Sequence, residues 1–257
     1  MDRRAAFQAE RADVLRFCES LGPADWRMDS RAEGWSITDV VAHLASGCHA
    51  MFTPSVLTLM RSDSIEAAND RLVDSRRDRN PAQVLAGYRR WSRVFGATVP
   101  RMVRTPLGRV SVPLAELGQF PMRLMLSAAV FDHHTHLRHD MAPALGLRAP
   151  ATDANRMATV LEWMMAVLSN QLTKTRPDWL DRPVGITFTG PGGGSWRVED
   201  SGSVTPGHCE SAAARITAAA LEFPEWGTRR IGWRERSVDI AGDIDYGTRF
   251  LDAVNIV

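Results

Sequence analysis

The sequence of 257 residues has an apolar fraction of 44% and a charged fraction of 24%, values typical of a globular protein with an ample core. Its formal net charge of +1 excludes a general electrostatic attraction to nucleic acid or to anionic membranes. We therefore expect the protein to bind neither of these partners.

The cysteine content and the lengths of the apolar runs indicate the cellular compartment of the protein. Cys18, Cys48 and Cys209 are widely spaced and form no CxxC pair, which favours a reducing compartment over a disulfide framework. The first residues are charged and lack the apolar stretch of a secretory signal. No run approaches the ~18 apolar residues of a membrane span. These features predict a cytoplasmic protein, and they leave monomer and homodimer both open.

Apolar residues at helical spacing dominate the start of the chain. Residues 2–21 predict an amphipathic helix that ends at Gly22, a residue type that commonly follows helices. Ser36 and Asp39 have the spacing of a capping box, so we expect a second helix over residues 40–53.

The chain continues as helix with two interruptions. The charged run at residues 75–80 is interpreted as a solvated face, and the proline-containing stretch 100–121 as an irregular connection. Residues 55–79 are predicted as a helix or as a helix plus a mobile segment, and further helices are predicted over 82–98, 121–141 and 152–173. The pattern therefore predicts a bundle of four or five long helices, and we place this helical domain at residues 1–175.

The pattern changes after residue 175. The glycine run 190–194 predicts a hairpin turn between two strands, because a phosphate-binding loop would need a helix directly after it. Strands are predicted over 184–189, 195–199 and 237–243, and helices over the alanine-rich 211–223 and the segment around Tyr246 and Phe250. The predicted fold class is thus α+β, with a helical bundle followed by a small α+β domain at residues 176–257.

The segment from Phe131 to Met141 holds four of the seven histidines. Read as a helix, it places Asp132, His136 and His139 at i, i+4 and i+7 on one stripe. Met125 and two alanines extend the same stripe, so we expect it to face inward. Buried carboxylate and imidazole groups need partners, because an unpaired buried polar group costs free energy.

His43 supplies a third inward group, from the second predicted helix. Together with Asp132 and His136 it would fill three positions of a tetrahedral zinc site and leave the fourth for water, thiolate or substrate. A bundle core is a usual place for such a site. Two alternatives stay open: another divalent metal such as nickel or iron, and a metal-free core in which the three groups only form hydrogen bonds.

Other polar and aromatic residues have plainer interpretations. His133 and His134 fall off the inward stripe and are expected at the surface, and His49 is rotated away from His43 on its helix. Trp35 and the other tryptophans are interpreted as packing residues.

The segment Asp25–Leu44, DWRMDSRAEGWSITDVVAHL, resembles the opening of the mycothiol-dependent maleylpyruvate isomerase family, within the DinB-like metal-binding bundles. The family order of tryptophan, serine, GW-[ST] and D-V-x-x-H-L is matched by Trp26, Ser30, Gly34 to Ser36 and Asp39 to Leu44. The second ligand motif of the family, Glu or Asp followed by three residues and His, matches Asp132 and His136. The C-terminal GPGGGSW and EFPEWGTRRIGW resemble the sterol-carrier-like domain that often follows.

Two positions depart from the family pattern. The isomerases usually have Glu where this chain has Asp132. They usually have aspartate three residues after the ligand histidine, whereas here His139 stands at that place and Asp140 follows. A metal site is compatible with both changes, but identity with maleylpyruvate isomerase itself does not follow.

The resemblance implies a zinc ion that binds the thiol of mycothiol as thiolate, which gives a nucleophile at neutral pH. The implied activity is isomerisation or S-transfer on a small electrophile, with a C-terminal arginine holding the carboxylate of the substrate. Arg229, Arg230 and Arg234 are the candidates, with Arg230 ranked first. His139 is a candidate fourth ligand, proton shuttle or partner that orients His136, and we prefer the orienting role, which Asp140 on the flank could also fill.

Three rival functions remain at this point. The same metal could activate water, which would make the protein a hydrolase that needs no thiol. A site closed by a fourth protein ligand would instead suit a non-catalytic metal-binding or ligand-binding protein. The third possibility is a helical bundle that binds no metal.

Overall fold

The computed structural model describes residues 1–256. Its contacts divide the chain into two compact units that separate between Ala151 and Thr152. The predicted α+β fold class, with a helical N-terminal part and a sheet-containing C-terminal part, is confirmed. None of the helices in this range combines the length and apolarity that a bilayer crossing requires.

The first unit is built mainly from helices. α1 buries an apolar stripe that includes Phe7, Val14 and Phe17, and it packs against α5 and α6, while α2 packs against α5. The helices are α1 (Arg3–Ser20), α2 (Ile37–Ala50), α3 (Val56–Arg61), α4 (Ile65–Asp74), α5 (Pro81–Met102), α6 (Met125–Thr135) and the short α7 (Ala142–Ala144).

The predicted helix starts are confirmed by their caps. At α2, the Ser36 side chain accepts from the backbone N–H of Asp39, and the Asp39 carboxylate accepts from the backbone N–H of Ser36. Asn80 and Gln83 form the same reciprocal pair at α5. Each pair satisfies backbone donors that a helix start leaves without intrahelical partners.

The stretch predicted as irregular contains a small hairpin. β1 (Ser111–Leu114) and β2 (Gly118–Pro121) pair antiparallel, with Ser111 opposite Pro121. Two prolines hide these strands in the sequence, because proline weakens the strand signal. It is tolerated here since a two-stranded ribbon has only edge strands.

The helix predicted over 121–141, which carries four histidines and is called the histidine helix below, is not a regular α-helix throughout. α6 passes into a π-helical segment, His136–Met141, before α7. A π-helix has i→i+5 hydrogen bonds and therefore a wider turn than the 3.6-residue period assumed in the sequence analysis. Positions after His136 are consequently rotated relative to the predicted stripe.

The second unit combines one long helix with a five-stranded mixed sheet. The strand order is β5-β4-β3-β6-β7, in which β3 pairs antiparallel with β4 and parallel with β6. The elements are α8 (Ala154–Thr175), β3 (Val184–Thr189), β4 (Gly194–Val198), β5 (Val204–Pro206), β6 (Ala214–Ala219), α9 (Phe223–Trp226), β7 (Val238–Gly242) and α10 (Ile244–Ala253).

The predicted alanine-rich helix at 211–223 is wrong. The centre of that stretch is the strand β6, in which Ala214, Ile216 and Ala218 are buried while Arg215 and Thr217 are exposed. Alanine has the highest intrinsic helix propensity. The stretch is nevertheless a strand, because it pairs with two neighbouring strands and buries alternate side chains. This tertiary context overrides the weak local preference of alanine for a helix.

The α8 helix belongs to the second compact unit, whereas the boundary predicted at residue 175 would place it with the bundle. Within the second unit α8 contacts β5, and Ser169 on α8 accepts a hydrogen bond from the backbone N–H of Val204. Helical periodicity does not show which element a helix packs against. The sequence-based prediction therefore places α8 with the other helices.

Candidate metal centre

The first unit brings His43, Asp132 and His136 together. His43 Nε2 on α2 lies 3.8 Å from Asp132 Oδ2 on α6, and the ring centroids of His43 and His136 are 5.0 Å apart. His43 is buried, while 40% of the Asp132 side chain is exposed. The three groups predicted from the sequence therefore meet at a place where one of them reaches solvent.

These spacings are compatible with a zinc ion. Ligand atoms at ~2.0–2.1 Å from a tetrahedral zinc lie about 3.3 Å from each other, and two imidazole ligands then have ring centroids about 5 Å apart. The rings of His43 and His136 match the second value. Among residues 1–256 no group of three or more His, Cys, Asp or Glu side chains is arranged closely enough to hold a metal ion, and the 3.8 Å between His43 and Asp132 exceeds the ligand spacing of a zinc site, so binding requires these side chains to move closer together.

His43 has the protonation state that a ligand needs. Burial lowers the pKa of His43 well below its ordinary value, and the neighbouring His136 and His133 lower it further. The ring is therefore neutral at pH 7 and able to donate a lone pair. His43 makes no hydrogen bond within the described residues, and its Nδ1 is buried without a partner. Hydrogen bonding alone therefore does not explain why this imidazole is buried.

Asp140 orients His136. The Asp140 carboxylate is fully buried and lies 2.7 Å from His136 Nδ1. A carboxylate only accepts, so Nδ1 carries the proton and Nε2 keeps its lone pair. This is the usual support of a metal-binding histidine. From the sequence we prefer His139 for this role, with Asp140 as a second candidate. Asp140 makes the contact as an i, i+4 pair, one helical turn from His136, and the role of His139 stays a prediction.

An Asp140→Asn substitution tests this support. The new side chain has the same shape but lacks the negative charge that fixes the His136 tautomer, so we expect zinc affinity to fall ~10–100-fold while the fold is kept. Competition with a chromophoric chelator measures the affinity. Asp74→Asn, which changes an exposed carboxylate, is the matched control. Equal affinities of the two variants would contradict the role of Asp140.

Trp35 forms a wall of the site, a role that the sequence analysis missed. Its ring centroid lies 4.9 Å from that of His43 and 6.0 Å from that of His136. Its Nε1 donates to Asp70 Oδ1 on α4 at 2.9 Å, which fixes the indole in place. The GW-[ST] motif was a signal for this role, because it places an aromatic ring directly before the helix that carries His43.

The prediction that His133 and His134 lie at the surface is wrong, since both are 1% exposed. His133 packs its ring against Phe7 and Tyr88, and its Nδ1 donates to the carbonyl oxygen of Ala129. His134 Nδ1 lies 3.2 Å from Glu10 on α1. α1 covers this flank of the histidine helix, which the sequence could not show.

A buried ionic cluster, consisting of Glu10, Asp13, His134 and Arg138, connects α1 to the histidine helix. Arg138 Nη1 donates to Glu10 Oε2 at 2.6 Å, and Nη2 lies 3.3 Å from Asp13 Oδ2. Burial alone would raise the pKa of Glu10, but the hydrogen bonds and charges of His134 and Arg138 hold it at about 2. Glu10 is therefore ionised at neutral pH, and its ion pair with Arg138 anchors the π segment that carries Asp140.

The arginines of the second unit differ in their contacts. Arg229 donates to the carbonyl oxygens of Val254 and Asp252, and Arg234 forms a bidentate pair with the Asp252 carboxylate. Both are engaged near the end of α10. Arg230 Nη1 donates to Thr228 Oγ1 at 2.9 Å, and its predicted role as a carboxylate ligand stays a prediction.

The fold and the site together define a protein in which a helical unit carries a candidate two-histidine, one-carboxylate metal centre. Residues 7–142 match the profile of the mycothiol maleylpyruvate isomerase N-terminal domain. Because this match covers more than half of the sequence, the chain belongs to that family. No curated protein matches the chain.

Solved structures agree with the family in their fold. A crystal structure of the mycothiol-dependent maleylpyruvate isomerase shares 16% identity with a TM-score of 0.58, and one of its histidine-to-alanine variants shares 14% with a TM-score of 0.59. Each match covers 93% of this chain and 91% of the other. A sterol carrier protein 2 like 2 from Aedes aegypti covers 37% of this chain at 10% identity and a TM-score of 0.31. That score is too low to support the predicted sterol-carrier-like domain.

Proposed function

We propose that this protein is a zinc-dependent enzyme that uses a low-molecular-weight thiol, mycothiol, for isomerisation or S-transfer on a small electrophile that carries a carboxylate. The observation that carries the proposal is the convergence of His43, Asp132 and His136, in which a buried, neutral imidazole makes no protein hydrogen bond. Family membership supports the choice of the thiol.

The residues of the chain prepare this site. His43, Asp132 and His136 would hold the metal, which when bound supplies Lewis-acid stabilisation that lowers the pKa of a thiol. Asp140 keeps the His136 lone pair available. Trp35 shields the two imidazoles on one side, and the exposed part of Asp132 marks the side from which small molecules enter.

Two reactions follow from a thiolate at this place. Its addition to a carbon–carbon double bond conjugated with a carbonyl group gives a carbon–sulfur single bond and an enolate, and the former double bond can rotate. Elimination of the thiolate then restores the double bond in the isomeric form. Displacement of a leaving group gives S-transfer instead. Within this proposal Arg230 holds the substrate carboxylate, and His139 carries a proton or supports His136.

The test is thiol dependence of turnover. Zinc-loaded protein is incubated with maleylpyruvate, and separately with the electrophile monochlorobimane, with and without mycothiol. We expect consumption of at least one of them only when the thiol is present. The His43→Ala variant should be inactive, and the His208→Ala variant, which changes a histidine of the second unit, should keep its activity.

A different outcome would identify a rival. Loss of a substrate without any thiol would favour the hydrolase, because activated water would then be the nucleophile. Failure of the protein to bind zinc would contradict the proposal at its base.

A further inference from the structure

An opening of the first unit lies between α2, α5 and the turn that follows α4. Its volume is about 110 Å³, several times the ~10–15 Å³ that a cavity needs to hold one water. Its polar side chains are His49, Arg76 and Arg79, and its apolar wall includes Ala42, Ala45 and Trp91. The opening is therefore large enough for a small molecule and is lined by cationic groups.

The arginines of this opening lack acidic partners. In the described part of the chain, no carboxylate lies within ion-pair distance of Arg76, Arg79 or Arg90. Arg77, on the same turn, is paired with Asp74 at 3.0 Å. Asp78 instead lines a neighbouring opening together with Arg79 and Gln83. The positive charge around the opening is thus uncompensated, although the run at 75–80 had been interpreted as a solvated face.

Arg76 is the central group. Its guanidinium is partly buried and donates only to neutral acceptors: Leu72 O at 2.6 Å, Ser75 Oγ at 2.9 Å and His49 Nδ1 at 3.2 Å. These bonds fix the orientation of the guanidinium but do not neutralise it. A partly desolvated charge without a counter-charge is costly, and an anion would remove that cost.

His49 adds a donor to the same opening. Because His49 Nδ1 accepts from Arg76, the neutral ring carries its proton on Nε2. The Trp91 ring lies 4.3 Å from the His49 ring, and the Arg90 guanidinium lies 5.1 Å from the Trp91 ring centroid. Packing on Trp91 holds the imidazole, and Arg90 adds further positive charge.

The opening is separate from the candidate metal centre. His49 follows His43 by six residues on α2, so the two side chains leave the helix in directions about 120° apart. None of His43, Asp132 and His136 lines the opening.

We propose that this opening is a binding site for a small oxyanion, a phosphate or a small carboxylate, recognised by Arg76 and Arg79. The guanidinium groups provide planar, charged donors that match the oxygens of such an anion. Ala42, Ala45 and Trp91 limit the size of the ligand.

Equilibrium dialysis of the full-length protein against radiolabelled inorganic phosphate tests the site, with ionic strength held constant by chloride. We expect saturable binding of one phosphate per chain. Arg79→Gln removes an exposed side chain and should weaken binding, and Arg76→Gln should raise the Kd by at least about tenfold, because each loses charge-assisted hydrogen bonds. Arg93→Gln, an exposed arginine on α5, is the matched control and should bind as the wild type does.

A further variant separates this site from the metal centre. His43→Ala should keep phosphate binding, because His43 does not line the opening. Phosphate that is bound by a metal at the candidate centre would be lost in this variant. Binding that is unchanged in Arg79→Gln and Arg76→Gln, or absent from the wild-type protein, would overturn the proposal. Binding that His43→Ala abolishes would assign the phosphate to the metal centre and overturn it as well.

Discussion

Replacing His43 with alanine is expected to abolish stoichiometric zinc binding. The substitution removes one of three donors, and the loss of a direct ligand should exceed the ~10–100-fold loss of affinity that follows from removing a supporting residue. Metal content is measured by mass spectrometry on protein prepared without a histidine tag and dialysed against micromolar zinc.

The control for this experiment is His49→Ala. His49 lies on the same helix but in the separate opening described above, so this variant should keep its zinc. Circular dichroism should show the same helix content for both variants, which would exclude unfolding as the cause of the zinc loss. Zinc retained at full stoichiometry by His43→Ala would show that the metal, if bound, lies elsewhere.

Replacing Arg138 with methionine should cause the largest loss of stability that we expect from a single substitution. Arg138 is 8% exposed, and it compensates Glu10, which is fully buried. Methionine keeps most of the volume but leaves the Glu10 carboxylate without its arginine counter-charge, whereas Asp13 keeps its contact with Arg16. Breaking a buried ion pair in this way costs about 3–5 kcal/mol. Denaturation by urea, monitored by circular dichroism, measures the free energy of unfolding.

An exposed pair between the same kinds of residues provides the control. Arg89 and Glu19 lie 2.7 Å apart, with about half of each side chain exposed, so Arg89→Ala should cost at most about 1 kcal/mol. Adding Glu10→Gln to Arg138→Met should restore part of the stability, because it removes a buried charge. A loss below 1 kcal/mol in Arg138→Met would contradict a structural role of the cluster.

The candidate ligands were predictable because their signals are local. Asp132 and His136 are four residues apart on one helix, and the capping box at Ser36 fixes the start of the helix that carries His43. Helical periodicity then determines which side chains face inward. The hairpin of β3 and β4 was predictable for the same reason, since alternating residues and a glycine run lie side by side in the chain.

Other features were not predictable because their causes lie far apart in the sequence. His133 and His134 are buried because Phe7 and Glu10 of α1 contact them, and Glu10 lies 124 residues away from His134 in the chain. The strand β6 takes its conformation from the two neighbouring strands of the sheet, against the helical preference of its alanines.

The sequence by itself thus determined the family, the α+β class and the three candidate ligands, because periodicity, capping and short motifs act over a few residues. Only the tertiary structure decided which groups are buried together. Glu10 and Arg138 are 128 residues apart in the chain, and His49 and Arg76 are 27 apart. No local pattern links such pairs, since their charge balance is fixed only when the helices pack and exclude water.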